Sequence, residues 1–138
     1  MKIRIEPAQL NELSPGQKES LRKWWKPAEF NVVFADPDIV FVTDGTYRGN
    51  ILEIAITQQL DGELDGGQAS FKKSECLPIL SIGQMIEMLE NEAKARGWDY
   101  WEIEKRDNGK WLPKANFLPW IEKEELCDAL FMAVKAIL

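Results

Sequence analysis

Three groups of side chains in this sequence have types and spacings that could carry chemistry. Asp61-Gly62-Glu63-Leu64-Asp65-Gly66 puts carboxylates at alternate positions ahead of a glycine at the sixth, which is how a calcium-binding loop opens. Such a loop closes on a bidentate Glu at its twelfth position; here that position is Lys72, and neither flank has a helical pattern. Asp61, Glu63 and Asp65 are therefore candidate cation ligands, with an acidic hairpin tip as the competing reading. Asp36, Asp38 and Asp44 fall between apolar runs and could gather at one end of a sheet to hold a divalent cation for hydrolysis or nuclease chemistry. Turns also collect aspartates for local backbone hydrogen bonds, which is the plainer reading. Lys105, Arg106 and Lys110 lie close in sequence to Trp101 and Trp111, the mixture of cations and stacking rings that holds single-stranded nucleic acid. Glu102, Glu104 and Asp107 in the same stretch oppose that use.

The chain has no histidine. The commonest general base, the commonest metal ligand and the usual partner of a nucleophilic serine or cysteine are thus missing. Cys76 and Cys127 lie in distant segments and do not form a paired zinc-binding spacing. No glycine-rich nucleotide loop or nucleophile elbow is present, and no cofactor is expected. Tryptophan, by contrast, is abundant: six residues, Trp24, Trp25, Trp98, Trp101, Trp111 and Trp120. Indole combines a large apolar area with a polar N–H and is enriched where proteins meet. Trp24, Trp25, Trp111 and Trp120 are the candidate protein-contact residues. The reading that follows is a small non-catalytic accessory factor binding a protein partner, as a monomer or a homodimer. The alternatives are a carboxylate-based metal-dependent hydrolase or nuclease, and a nucleic-acid-binding module using Lys105, Arg106 and Lys110.

Charge narrows these choices. The formal net charge is −6, and it is unevenly spread: residues 1–26 carry +3, residues 27–70 carry −7 and residues 71–138 carry −2. An acidic chain repels phosphate backbones, which argues against nucleic acid as the partner. An apolar content of 45% with 29% charged residues is that of a folded domain. No apolar run approaches the roughly 20 residues that cross a bilayer, and Met1–Glu12 has too few apolar residues for an export signal. A cytoplasmic protein with reduced cysteines is expected.

The elements that must position these residues read as one α+β domain over residues 1–138, with an antiparallel sheet of five or six short strands and three helices, the last of them buried. Its clearest element is Cys76–Gly97. Ser81 stands three residues ahead of Gln84 in a capping-box pattern; Ile82, Met85, Ile86, Leu89 and Ala93 make an apolar stripe; Gly97 follows Lys94 and Arg96 as a left-handed stop. Leu10–Lys26 reads as a helix, with Ser14-Pro15 as a cap and first-turn pair. Tandem Trp24 and Trp25 point about 100° apart on such a helix, so the two indoles cannot share one environment. Val32–Ala35, Ile39–Thr43, Ile51–Thr57 and Gln68–Lys73 read as strands, with Asp44-Gly45 as a turn and Ile39–Val42 covered on both faces. Trp98–Lys105 alternates like a strand, Asp107-Asn108-Gly109 is a hairpin turn, and Lys110–Leu112 is the return arm. From Glu122 the chain reads as helix to its end, with Leu126, Cys127, Leu130, Phe131, Val134, Ile137 and Leu138 as the apolar face.

Leu13–Pro27 (LSPGQKESLRKWWKP), Leu77–Leu89 (LPILSIGQMIEML) and Glu124–Leu138 (EELCDALFMAVKAIL) resemble segments of small uncharacterised proteins of Gram-positive bacteria and their phages. The resemblance implies a prophage or mobile-element context. It implies no activity, and no functional residue is carried across.

Overall fold

The structure, a computed structural model, describes residues 1–26, 32–35, 38–48, 51–56, 68–98 and 100–138. The fold is α+β, and the chain divides into two compact units: Pro7–Ile79, and Met1–Glu6 together with Leu80–Leu138.

In the first unit, α1 (Pro7–Leu10) and α2 (Pro15–Trp24) replace the single helix expected over Leu10–Lys26. The break is local in origin. Ser14 takes an extended backbone, its hydroxyl accepts from the Gln17 N–H at 3.1 Å, and its own N–H donates to Gln17 Oε1 at 2.9 Å. That reciprocal capping box, with Pro15 at the first helical position, fixes where α2 begins. Leu10, Leu13, Leu21 and Trp25 are buried.

A five-stranded antiparallel sheet follows: β1 (Val32–Ala35), β2 (Asp38–Arg48), β3 (Ile51–Ile56), β4 (Gln68–Lys72) and β5 (Leu77–Pro78), in the order β4-β3-β2-β1-β5. Val32, Val33 and Ala35 are buried, so successive residues of β1 are covered whichever face they point to. Pro78 pairs with Val33 from the edge strand β5, the place in a sheet where a residue without an N–H is tolerated. Asp44-Gly45 does not end a strand. β2 runs through it, and the β2–β3 register shifts between Val42 and Tyr47, the kind of irregularity that a glycine within a strand accommodates. Ile39, expected to be covered, is 45% exposed.

The second unit is built on α3 (Ile82–Ala95) and α4 (Leu126–Ile137), which pack together. α3 begins as its sequence predicts: Gln84 N–H donates to Ser81 Oγ at 3.2 Å, and Ser81 N–H donates to Gln84 Oε1 at 2.9 Å. It ends in a Schellman motif. The Trp98 N–H donates to the Ala93 carbonyl at 2.8 Å, and Gly97, at φ 74°, donates to the Lys94 carbonyl at 3.0 Å. Met85, Met88, Leu89 and Ala93 are buried from α3; Cys127, Ala129, Leu130, Phe131, Ala133 and Val134 are buried from α4.

α4 starts four residues later than expected, at Leu126, because Glu122 and Lys123 serve the neighbouring ribbon instead. The amino-terminal segment docks on this unit through a bridge between Arg4 and Ser81, flanked by Ile5 N–H to the Leu80 carbonyl (3.0 Å) and Ile82 N–H to the Ile3 carbonyl (3.1 Å). Lys2 reaches Asp128 of α4 at 2.8 Å.

The remaining pair is a separate two-stranded ribbon, β6 (Glu102–Lys105) and β7 (Trp111–Lys114). The described residues therefore form seven strands in sheets of five and two, with four helices, where one sheet of five or six strands and three helices was expected. The difference in helix number is α1. The difference in sheet number arises because β6 and β7 find each other across a tight turn and need no strand from elsewhere.

Candidate interaction surface

The β6–β7 ribbon brings together more of the sequence's candidate residues than any other described element. Its turn sets the geometry. Arg106 N–H donates to the Lys110 carbonyl at 2.8 Å, Gly109 N–H to the Arg106 carbonyl at 2.9 Å, and Gly109 sits at φ 81°. This is a three-residue hairpin loop, Asp107-Asn108-Gly109, whose last residue must be left-handed, a conformation that glycine adopts without a Cβ penalty. Asn108 ties it down: its Oδ1 accepts the Lys110 N–H at 3.0 Å, and its amide donates to Glu122 at 3.0 Å.

From that turn the register is fixed: Lys105 opposite Trp111, Glu104 opposite Leu112, Ile103 opposite Pro113, Glu102 opposite Lys114. Directly opposed residues share a face, so Glu102, Glu104 and Lys114 stand together on one side of the ribbon. Lys114 Nζ lies 3.3 Å from Glu102 and 3.0 Å from Glu104. Arg106 lies 3.4 Å from Glu104 and 3.3 Å from Glu122. The Tyr100 hydroxyl donates to Glu102; that bond, then the bond from Lys114, holds the Glu102 carboxyl below the usual carboxylate range. Donation to Glu104 and then to Glu102 raises Lys114, and donation to Glu102 raises the Tyr100 phenol.

Aromatic rings meet cations around the ribbon and beside it. Arg106 stacks 5.2 Å over Trp120, Lys105 lies 5.4 Å over Trp111, and Arg96 lies 4.9 Å over Phe117. Trp120 is 63% exposed, Tyr100 64% and Trp98 44%. Trp111 and Trp101 are half-buried. A depression of about 330 Å³, lined by Glu104, Arg106, Asp107 and Asn108, opens beside the turn.

The candidates fare differently. Trp120 is an exposed ring on the ribbon surface, and Trp111 a half-buried one covered by Lys105. Trp24 is half-buried, while Trp25, at 1% exposure, is a core residue and offers no contact surface. α2 ends at Trp24; Trp25 is its extended C-cap, and its indole is sealed while its neighbour stays at the boundary. Lys105, Arg106 and Lys110 do converge on the ribbon. Arg106, however, is shared by two carboxylates and a ring, and Lys105 is laid on Trp111, so these cations are already engaged.

Asp61, Glu63, Asp65 and Asp36 lie outside the described residues; Asp38 and Asp44 lie in β2. Among the described residues no group of three or more His, Cys, Asp or Glu side chains could hold a metal ion. Cys76 and Cys127 are free thiols, both buried, and burial pushes each up to about 11, away from the nucleophilic thiolate.

Sequence reasoning overlooked Tyr100, Trp98 and Glu122 as surface residues of this site. The signal for Trp98 was the Gly97 stop, which throws the next side chain off the end of α3. The signal for Tyr100 was its parity with Glu102 and Glu104. Among the described residues no helix is long and apolar enough to cross a membrane. Comparison of the chain with protein families, curated proteins and solved structures finds no match.

Proposed function

We propose that this protein is a small, non-catalytic accessory factor of the cytoplasm that acts by binding another protein through the β6–β7 ribbon. The observation that carries this reading is the exposure of Tyr100 and Trp120, at 64% and 63%, on a ribbon whose charged side chains are already held in place. Large rings on a pre-ordered surface contribute apolar contact area at little cost in side-chain entropy, the composition found at the centres of protein interfaces. The net charge of −6 suits a partner with a basic surface. The engagement of Arg106 and Lys105 by carboxylates and rings tells against phosphate binding at the same place. The three segments that resemble small proteins of Gram-positive bacteria and their phages add a prophage or mobile-element setting.

The test is affinity capture from a bacterial extract with the wild-type chain and with Tyr100→Ala, Trp120→Ala and, as a control in the other unit, Trp24→Ala. One or more proteins should be recovered by wild type and by Trp24→Ala and lost, or reduced severalfold, with the two ribbon variants. Recovery of nothing, or equal recovery by all four chains, overturns the reading.

A further inference from the structure

The hydrogen-bond parity of the ribbon leaves one main-chain edge open. Arg106 and Lys110 form the hydrogen-bonded pair nearest the turn. In an antiparallel ladder such pairs alternate with non-bonded ones, so Glu104–Leu112 and Glu102–Lys114 are bonded, whereas Lys105–Trp111 and Ile103–Pro113 are not. Two observations confirm the parity. Pro113, which has no N–H, falls at a non-bonded position. Trp111 turns its N–H and carbonyl away from β6, to Lys123, at 2.7 and 3.1 Å. On β6 the corresponding outward groups are the N–H and C=O of Ile103 and Lys105. Among the described residues β6 is laddered to β7 alone, while the far edge of β7 is occupied by Lys123.

We propose that the outer edge of β6 receives an extended basic segment of the partner protein as an added antiparallel strand; this rests on the reading of the ribbon as a protein-binding surface and names its partner's chemistry. The occupant follows from charge. Tyr100, Glu102 and Glu104 alternate along one face, and the two carboxylates share a single ammonium from β7, Lys114. Glu102, Glu104 and Glu122 share two ion-pair partners, Lys114 and Arg106.

An added strand places its side chains directly opposite Glu102 and Glu104, where cations complete the pairing. A second copy of this chain is disfavoured in the registers that pair the β6 carboxylates with one another. A two-fold axis through the sheet keeps the faces matched, so β6 against β6 centred on Ile103 sets Glu102 opposite the second copy's Glu104. Centred one residue further, it sets Glu104 against its own counterpart; like charges directly opposed destabilise the pair. The bound segment thus has lysine or arginine at alternate positions facing Glu102 and Glu104. The residues between them donate and accept main-chain bonds with Ile103 and Lys105.

The test uses a blocked, fluorescein-labelled seven-residue peptide of alternating lysine and valine, read by anisotropy at low salt up to millimolar protein. Binding should exceed that of the glutamate–valine counterpart at least tenfold. It should weaken as salt is raised, and fall about tenfold in the Glu102→Gln/Glu104→Gln variant. N-methylation distinguishes strand addition from adsorption. In the antiparallel register the valines carry the N–H groups that face β6, so N-methyl-valine peptides lose binding and N-methyl-lysine peptides retain it. Lysine and glutamate peptides binding alike, or both N-methyl peptides binding alike, overturns the strand addition. Neither result alters capture of a partner dependent on Tyr100 and Trp120, so failure here is distinct from failure of the broader reading.

Discussion

Two tryptophans make the sharpest division between a side chain that holds the fold and one that is free to meet a partner, and Trp25→Ala against Trp120→Ala measures it. Trp25 is 1% exposed. Truncation to alanine removes roughly 150 Å² of buried apolar surface, which at about 25 cal/mol/Å² corresponds to about 4 kcal/mol; large-to-small replacements of buried aromatics cost about 3–5 kcal/mol. A domain is stable by only about 5–15 kcal/mol, so a third or more of the total is at stake. Trp120, at 63% exposure, withholds about a third of its surface from water. Its loss, including the stack with Arg106 at 5.2 Å, amounts to about 1–2 kcal/mol. Urea unfolding followed by far-ultraviolet circular dichroism reads both variants. Trp25→Ala should move the midpoint two to four times as far as Trp120→Ala, and acrylamide should quench Trp120 but not Trp25. Equal midpoints, or a Trp25→Ala cost below about 1 kcal/mol, would refute the placement of Trp25 in the core and with it the choice of Trp120 over Trp25 as a contact residue.

Other outcomes follow from the same physical terms. Ser81→Ala removes the hydroxyl that accepts the Gln84 N–H at 3.2 Å and should cost about 1 kcal/mol in urea unfolding. Adding Gln84→Ala should cost less than the sum of the two singles, since both hydrogen bonds belong to one box. Gly109→Ala meets no atom within 4 Å of the new Cβ, so its cost is the left-handed backbone alone, about 1–2 kcal/mol; a loss above about 3 kcal/mol would mean a clash that this geometry does not contain. Stability should be independent of thiol ionisation up to about pH 9 and then fall toward pH 11. Over that range the unfolded chain releases the Cys76 and Cys127 protons that burial retains in the folded one. A urea midpoint that rises between pH 9 and 11 would contradict this sign.

What was legible in the sequence is what local chemistry decides. The start of α3 is a bond between Ser81 and Gln84, its end is a glycine after two basic residues, and both are set by residues within a turn of each other. The break between α1 and α2 was equally local. Ser14-Pro15 marks a start, and a capped start inside the stretch read as one helix rules out a continuous one. Burial was less legible. Trp24 and Trp25 are the same residue type at the last position and the C-cap of α2, and only the packing of other elements decides which is sealed. The division of the strands into sheets of five and two was not legible at all, because alternation marks a strand without naming its neighbour.

The ribbon lies between these cases, and the reason shows how far sequence can reach toward a site. Asn108-Gly109 announces a turn, and a glycine held left-handed at the third loop position fixes Arg106–Lys110 as a hydrogen-bonded pair. Counting outward from that pair assigns every residue of both strands to an inward or outward main-chain direction before any coordinate is known. Pro113, which would forbid a strand through that position if its N–H were needed, falls where none is needed. The open edge at Ile103 and Lys105 was therefore implicit in the spacing of Gly109 and Pro113. What the spacing could not supply was that Lys123 closes the opposite edge at Trp111. Among the described residues, that leaves β6, with its two carboxylates around one lysine, as the ribbon strand with an unfilled side.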